Sequence, residues 1–281
     1  MDDRRVDALV LAGGTFDDAM AAVTGVRARA WAPFRGRPFI EWVVGALHEC
    51  PEVARITVVG PDALRSAPWA DRVHGWARER EGIVENLLAG LSVCSGEAEG
   101  RAPGRSDEVT ATDPGDAVQR DLLITASDNP LLSAAAFEDF LRRAPLDCGL
   151  AYPYLPHSAF LARFPGADNI PLRLRDGVWI GGCCVLVRRR ALGAVRSLAQ
   201  AVLHSRKSKW RMVRLLGPGF LVKFALGRAT VADVTARASA ILGHAVCFVP
   251  DCAPEFAIDI DEPADAEYLL RWAEAHLPPP G

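Results

Sequence analysis

Short, predominantly apolar runs alternate with amphipathic segments along the first half of the chain. The runs that predict buried strands are residues 7–11, 55–60 and 122–125. The segments that predict helices are residues 38–49, 84–92 and 133–143, with Ser133 as an N-cap. A strand, a helix and a second strand in succession imply a right-handed crossover and a parallel strand pair. The pattern therefore predicts an α/β fold with a mostly parallel central sheet flanked by helices.

The second half is less regular. Apolar runs predict strands over residues 149–154, 172–174, 182–187, 246–250 and 256–260. Helices are predicted over residues 191–205 and 263–276. No internal repeat is visible, so we expect one domain over residues 1–281.

Two segments depart from this pattern. Residues 96–119 are rich in Gly, Pro, Asp and Glu and contain almost no large apolar side chain, which predicts a mobile, dispensable insertion. Residues 205–228 contain seven Lys and Arg and no acid, with large apolar residues between them. This favours a helical basic subdomain over residues 190–245. Its basic side could be solvated, or it could contact an anionic acceptor or a membrane surface.

Composition narrows the class of protein. Of 281 residues, 50% are hydrophobic and 24% are charged, and the formal net charge is −3, which is typical of a folded globular protein without a nucleic-acid partner. No apolar run reaches the length of a membrane span, and the first residues have no apolar signal core. The seven cysteines form no C-x-x-C pair. We therefore expect reduced thiols and a cytoplasmic location.

The first predicted strand ends in two glycines, at Leu11-Ala12-Gly13-Gly14. Glycines at this point allow the backbone to bend around phosphates with its N–H groups turned inward, although a tight turn without a ligand has the same sequence. The loop has neither the G-x-G-x-x-G spacing nor a Walker lysine. Dinucleotide binding and P-loop chemistry are therefore disfavoured.

Charged residues follow the other predicted strands and loops. Four arginines, at positions 27, 29, 35 and 37, come after the glycine loop and would suit phosphate oxygens or form a solvated basic loop. Asp128 follows the apolar run 122–125, where it could bind Mg²⁺ or cap a turn. If residues 256–260 form a strand, Asp259 and Asp261 share one face. One of these two would then cap the last helix, and the other would join Asp128 on a metal.

The order of these motifs resembles that of the MobA-like NTP transferases, which are nucleotidyltransferases of Rossmann-like GT-A fold. The matching features are the strand followed by Leu-Ala-Gly-Gly, a basic residue before the Pro33-x-x-Gly36-x-Pro38 segment, Thr125-x-x-Asp128-x-Pro130, and Asp259-x-Asp261-x-Pro263 before the last helix. The resemblance implies transfer of a nucleoside monophosphate from an NTP, with CTP or GTP expected, to a small anionic acceptor. It also implies Mg²⁺ as the cofactor. The basic and apolar residues of 205–228 would suit an acceptor that is lipid-linked.

The resemblance assigns roles position by position. By the resemblance, the nucleotide would contact Leu11, Ala12, Gly13, Gly14, Arg29 and Asn86. From the arginine-rich segment, we expect Arg27 to contact the nucleotide as well. The catalytic positions would be Arg29, which takes the place of the family's phosphate-binding lysine, and Asp128. The metal ligands would be Asp128 and Asp261, with Asp259 as the alternative, and the acceptor would lie near Gly181 and Gly182.

Three positions depart from the family pattern. The family's arginine after the glycines is replaced by a segment that contains Asp17 and Asp18, whose charges would repel a triphosphate. Arginine replaces lysine at position 29, and Cys183 stands where relatives often have Asn. Two alternatives to an active nucleotidyltransferase therefore remain: a nucleotide or nucleotide-sugar binding protein without activity, and a GT-A glycosyltransferase that uses the same fold.

Overall fold

The computed structural model describes residues 5–96, 120–205 and 217–278. Most of the predicted insertion 96–119 and the middle of the basic segment 205–228 lie outside these ranges. Both predictions about their conformation remain untested.

The centre of the fold is a sheet whose first half is parallel. Strand β1 (Val6–Leu11) lies between β4 (Val53–Gly60) and β6 (Leu122–Ala126) and pairs in parallel with both. The short strand β5 (Gly75–Arg78) extends this half beyond β4, again in parallel. Strand β1 is buried on both faces, as expected for a central parallel strand, and this explains its continuous apolar sequence.

The other half of the sheet is mainly antiparallel. Strand β10 (Cys184–Val187) lies between β6 and β7 (Leu150–Pro156) and is antiparallel to both. The hairpin of β8 (Leu172–Leu174) and β9 (Gly177–Gly181) continues from β7, and β11 (Val246–Val249) pairs with β7 in parallel. A separate two-stranded ribbon consists of β2 (Pro33–Phe34) and β3 (Arg37–Pro38). The α/β prediction is confirmed, with a mixed sheet.

Helices cover both faces of the sheet. In chain order they are α1 (Asp18–Thr24), α2 (Phe39–Glu49), α3 (Ile83–Cys94), α4 (Ala134–Arg143), α5 (His157–Arg163), α6 (Leu192–Ser205), α7 (Pro218–Ala225), α8 (Val231–Leu242) and α9 (Pro263–His276). One apolar cluster joins α2 and α4 to the sheet, and a second joins α3 and α6 to the opposite face. A third cluster packs α1, α5 and α9 together. No helix in the described ranges is long and apolar enough to cross a bilayer.

Local sequence signals explain where the helices begin. The Ser133 side chain accepts a hydrogen bond from the Ala136 N–H, which confirms the predicted N-cap of α4. Helix α8 begins with a capping box between Thr230 and Asp233. In α1, the Asp17 carboxylate accepts from the Met20 N–H. The described parts of residues 190–245 are mostly helical, and α6 and α8 pack on the sheet.

Several sequence predictions differ from the structure. Residues 256–260 are not a strand, because Pro254–Ala257 form a 3₁₀ turn whose first position is a proline. The prediction that Asp259 or Asp261 caps the last helix is wrong, because the N-cap of α9 is Glu262. Helix α1 lies in a segment that the sequence predicts to be a loop. Strand β5 and helix α5 were not predicted, because both are short.

Candidate active site

The glycine loop and Asp128 leave the sheet at the same edge. Strands β1 and β6 are parallel neighbours, with Leu11 opposite Ala126 in register. The Ser127 N–H donates to the Leu11 carbonyl at 3.1 Å, which ties the end of one strand to the other. Ligands of open α/β sheets bind at the carboxyl ends of strands, so this edge is the expected position for a site.

The two glycines of the loop are required by their surroundings. A Cβ atom at Gly13 would lie 2.5 Å from Asn86 Nδ2 and 3.1 Å from Glu79 Cβ, so a larger residue would force the loop or these side chains to shift. Gly14 has a φ of +105°, a conformation that other residues rarely adopt. The Gly14 N–H donates to Glu79 Oε2 at 3.1 Å. The residues before this pair differ in exposure, because Ala12 is buried and Leu11 is partly exposed.

Asn86 lies beside the glycine loop. Its side chain is buried, at 5% exposure, and its Oδ1 accepts from the Arg80 N–H at 2.6 Å. Its Nδ2 faces Gly13. The sequence predicts a nucleotide contact for this residue, and the structure places it between the glycine loop and the residues that follow β5.

The chain that follows the glycines returns alongside them. The Phe16 N–H donates to the Arg27 carbonyl at 2.8 Å, and Thr15 forms a β-bridge with Ala28. The Arg29 N–H then donates to the Gly14 carbonyl at 3.2 Å. Helix α1 connects these two paired segments. The pairing fixes the Arg29 backbone beside the glycine loop, although 15 positions separate the two residues in sequence.

Two carboxylates from distant parts of the chain meet at the Arg29 side chain. Arg29 Nη1 lies 2.8 Å from Asp261 Oδ1 and 3.6 Å from Asp128 Oδ2. Both carboxylate oxygens therefore lie within a few ångströms of the same nitrogen. The Arg29 guanidinium also lies 5.4 Å from the centre of the Phe16 ring. The structure thus brings together three residues that the sequence assigned to one site.

The surroundings of Asp128 disfavour the ionised form of its carboxyl group. Burial raises the pKa of Asp128, nearby Arg29 lowers it, and Asp261 raises it further. A carboxylate in this position is stabilised in its ionised form by a cation. Hard oxygen donors in such a pair suit Mg²⁺, which binds one or two carboxylates together with substrate phosphates. In the described residues, no group of three or more His, Cys, Asp or Glu side chains could hold a metal ion, so an ion here would need ligands from a substrate.

The structural comparison adds a relative with appreciable sequence identity. A hypothetical transferase from Thermus thermophilus is 30% identical to this chain and superposes on it with a TM-score of 0.72. The match covers 93% of this chain and 99% of the transferase. The MobA-like NTP transferase domain matches residues 8–276. This chain belongs to that family. No curated protein matches the chain significantly.

More distant solved structures share the fold. The 4-diphosphocytidyl-2C-methyl-D-erythritol synthase from Anaerococcus prevotii is 12% identical, with a TM-score of 0.55 and coverage of 97% of both chains. A CMP:2-keto-3-deoxy-manno-octonic acid synthetase complexed with CTP is 13% identical, with a TM-score of 0.54 and coverage of 98% of this chain and 100% of the other. These TM-scores show a common fold for the MobA-like chain and these two synthetases.

Both acidic residues of the segment that departs from the family pattern have local partners in this MobA-like chain. Asp17 caps helix α1, and Asp18 forms an ion pair with Arg27 at 2.8 Å. The Arg27 and Asp18 side chains are 71% and 89% exposed, so water and salt screen the pair strongly. The acidic segment is therefore directed partly toward Arg27, one of the predicted nucleotide-binding residues.

Asp259 does not share a strand face with Asp261. It lines a small pocket that also contains Asp168 and Asp265. Partial burial raises the pKa of Asp259, and Asp261 and Asp128 contribute in the same direction. Asp261 is thus the residue that shares Arg29 with Asp128, while Asp259 lies near enough to repel both.

Gly181 and Gly182 lie in a tightly packed part of the sheet. A Cβ atom at Gly181 would lie 2.4 Å from the Tyr152 hydroxyl oxygen, and one at Gly182 would lie 2.9 Å from both Phe256 Cβ and Pro153 Cγ. Packing alone therefore explains why glycine occupies both positions. Their predicted contact with the acceptor remains untested.

Cys183 follows this glycine pair. Its Sγ lies 3.4 Å from Asn129 Nδ2, and burial raises the pKa of the thiol to about 12. Such a thiol stays protonated at neutral pH and is a poor nucleophile. All seven cysteines are unpaired.

Sequence reasoning missed Glu79 and Asn129. Glu79 follows the short strand β5, accepts a hydrogen bond from the Gly14 N–H, and would lie 3.1 Å from a Cβ atom at Gly13. Asn129 is 1% exposed, and its Nδ2 donates to the Glu255 carbonyl at 2.7 Å. Asn129 follows Asp128 directly, but its contact with residue 255 is made across 126 positions and leaves no local signal in the sequence.

Proposed function

We propose that this protein is a Mg²⁺-dependent nucleotidyltransferase that moves a nucleoside monophosphate from an NTP to a small phosphorylated or alcohol acceptor. The observation that carries the proposal is the convergence of Arg29, Asp128 and Asp261 beside Gly13 and Gly14. Membership of the MobA-like family supports the reaction class.

Each part of the site has a chemical task in this proposal. The loop from Leu11 to Gly14 would hold the nucleotide, with Arg27 beside it. An oxygen of the acceptor, bound near Gly181 and Gly182, attacks the α-phosphorus. The bond to the oxygen that bridges the α- and β-phosphates breaks, and pyrophosphate leaves with the electron pair.

Charge neutralisation is the main contribution of the side chains. Arg29, and Arg27 once it leaves Asp18, would stabilise the charge on the departing pyrophosphate. Asp128 and Asp261 would hold Mg²⁺, which supplies charge neutralisation at the α-phosphate and orientation of the acceptor when bound. A phosphorylated acceptor attacks through an oxygen that is already ionised. An alcohol acceptor also transfers its proton to water or to a carboxylate of the site.

The direct test is pyrophosphate release from each of the four common NTPs with Mg²⁺ and a panel of phosphorylated sugars and alcohols. We expect CTP or GTP to be preferred. Asp128→Asn and Asp261→Asn should each lower turnover at least about a hundredfold, a typical loss when transition-state charge is left without stabilisation. Asp139→Asn is the matched control, since Asp139 pairs with Arg143 on the surface of α4. Full activity of both site variants would refute the proposal.

A binding protein without turnover is the second candidate, and the acidic segment after the glycines favours it. Asp17 and Asp18 place negative charge where a triphosphate would approach. This candidate predicts that nucleotides raise the melting temperature while no NTP is consumed with any acceptor. Transfer of the sugar from a nucleotide sugar to an acceptor, with release of the nucleotide, would instead indicate a glycosyltransferase.

We further propose a cytoplasmic protein whose acceptor is lipid-linked and whose residues 205–228 touch an anionic membrane surface. On α7 and just after it, the Val222, Phe224 and Leu226 side chains are 59%, 41% and 63% exposed. Lys223 is paired with Asp233, so the exposed apolar side chains would contribute most of the contact among the described residues.

Sedimentation with vesicles tests the membrane contact. We expect binding to anionic vesicles that weakens with salt and is lost in a Val222→Ser/Leu226→Ser variant. Leu146→Ser is the control, because Leu146 is similarly exposed, at 66%, elsewhere in the chain. Absence of binding by the unaltered protein at low salt would refute the contact.

A further inference from the structure

Arg29 contacts two carboxylates from distant parts of the chain, Asp128 near the middle and Asp261 near the C-terminal end. Its Nη1 contacts Asp261 at 2.8 Å and Asp128 at 3.6 Å, and its side chain is 31% exposed. Asp128 is only 23% exposed, whereas Asp261 is 56% exposed. The guanidinium therefore lies between a largely buried carboxylate and one that faces solvent.

These two carboxylates need a cation to stay close together. Like charges at short range repel, and the repulsion grows when one of them is largely removed from water. In the described residues, the ion pairs of Asp128 and Asp261 are formed with Arg29. The arginine thus provides the counter-charge that a divalent cation would otherwise provide.

The Arg29 backbone is anchored while its side chain has alternatives. The N–H of Arg29 is bonded to the Gly14 carbonyl at 3.2 Å, so the residue stays beside the glycine loop. A Cβ atom at Gly14 would lie 3.9 Å from Arg29 Cδ, which shows that the middle of the side chain passes over this glycine. The Arg29 side chain therefore lies beside both the glycine loop and the two carboxylates.

We propose that Arg29 is an internal counter-ion that competes with divalent metal for Asp128 and Asp261, so that metal and nucleotide bind cooperatively. In the substrate-free protein Arg29 neutralises the carboxylate pair. A triphosphate draws the guanidinium away, because guanidinium groups match phosphate oxygens well, and the pair then becomes available to metal. This inference rests on the proposed function for the identity of the nucleotide, whereas the competition between Arg29 and metal does not depend on it.

Metal binding in the absence of nucleotide tests the competition. The binding of Mn²⁺ is measured by electron paramagnetic resonance on the full-length protein, on Arg29→Gln and on Arg29→Lys. We expect Arg29→Gln to bind Mn²⁺ about tenfold more tightly than the unaltered protein, within the usual range of coupling energies. Arg29→Lys should lie between them, since a lysine retains the positive charge but places it on a compact, flexible ammonium group instead of a planar guanidinium. Arg142→Gln, which removes a surface charge paired with Glu138, should leave the affinity unchanged.

The second measurement adds CTP or GTP to the same titration. For the unaltered protein, nucleotide should tighten Mn²⁺ binding beyond the contribution of Mn²⁺ bound to free nucleotide, and this gain should shrink in Arg29→Gln. If Arg29→Gln and Arg29→Lys bind Mn²⁺ no more tightly than the unaltered protein, the counter-ion role is wrong, even if the enzyme is active. If Mn²⁺ binding tightens in Arg29→Gln and no nucleotide changes it in any variant, the counter-ion role stands and the proposed function fails.

Discussion

Asn129 donates a hydrogen bond to the Glu255 carbonyl at 2.7 Å, across 126 positions of sequence. Its Nδ2 also lies 3.4 Å from the Ile258 carbonyl. This one buried amide therefore fixes the chain that leads to Asp261 against the end of β6, where Asp128 lies. The spacing of the two carboxylates therefore depends on a residue whose amide binds the carbonyls of Glu255 and Ile258.

Replacing Asn129 with Ala should separate the two carboxylates. We expect a loss of about 1–3 kcal/mol in the free energy of unfolding, because two buried carbonyls lose their partner. We also expect a larger loss of Mn²⁺ affinity than of stability. Urea denaturation and metal titration measure the two effects. Ser133→Ala is the control for stability, since loss of that N-cap costs about 1 kcal/mol and should leave Mn²⁺ affinity unchanged. Equal metal binding by both variants would contradict the positioning role.

Replacing Gly13 with Ala should disrupt the loop. The added methyl group would lie 2.5 Å from Asn86 Nδ2, so the loop or the buried amide must shift. We expect a loss of nucleotide binding of at least about tenfold, in keeping with the sensitivity of close-packed sites to one methyl group, as measured by fluorescent-nucleotide titration. Gly193→Ala is the matched control, because a Cβ atom there would meet nothing within 4 Å. Undiminished nucleotide affinity in Gly13→Ala would show that the loop does not bind the nucleotide.

Replacing Asp18 with Asn should strengthen the binding of triphosphates. The change releases Arg27 from its ion pair and removes a negative charge. Because both side chains are strongly exposed, we expect a gain of only about two- to fivefold in affinity at low salt, and a smaller gain at 0.5 M salt. Isothermal titration with CTP and GTP measures it. Weaker binding in Asp18→Asn would mean that the carboxylate itself contributes to the nucleotide site, for example through a metal.

The strands that carry the site could be predicted because each is a continuous apolar run in the local sequence. The apolar runs of β1 and β6 place Gly13 and Asp128 at strand ends, and parallel pairing then puts both at one edge of the sheet. The segment around Asp259 was misread because apolar and polar residues alternate there as in a strand. In the structure, Pro254 starts a 3₁₀ turn, and the Asn129 amide holds the carbonyls of that segment.

The contact between Arg29 and Asp261 could not be predicted from local pattern. The two residues are 232 positions apart, and no periodicity connects them. The family resemblance assigned both residues to one site, but it did not predict that their side chains contact each other. Glu79 and Asn129 act through the loop carbonyls and amides of other segments, and contacts of this kind leave no signal in the sequence around them.

The Asp128 carboxylate should cost stability at neutral pH. Its pKa in the folded protein is raised above the ordinary value of 3.8, chiefly by burial, so the folded state binds its proton more tightly than the unfolded state does. The folded protein therefore loses stability as pH rises from about 3.8 through the raised pKa. Above that window, Asp128→Asn should be more stable than the unaltered protein, although it should be inactive.

Urea denaturation of the unaltered protein and of Asp128→Asn at pH 4 and pH 7.5 checks the direction of this stability difference. The stability difference in favour of Asp128→Asn should be larger at pH 7.5 and should shrink at pH 4, where the aspartate is increasingly protonated in both states. Comparing the two proteins at each pH cancels the contributions of all other titrating groups. Saturating Mg²⁺ and nucleotide should reverse the order at pH 7.5, because ligands that bind only the folded form with an intact carboxylate stabilise it. If Asp128→Asn is the less stable protein at pH 7.5 without ligands, the ion pair with Arg29 outweighs the cost of burial, and the carboxylate contributes to the fold as well as to the site.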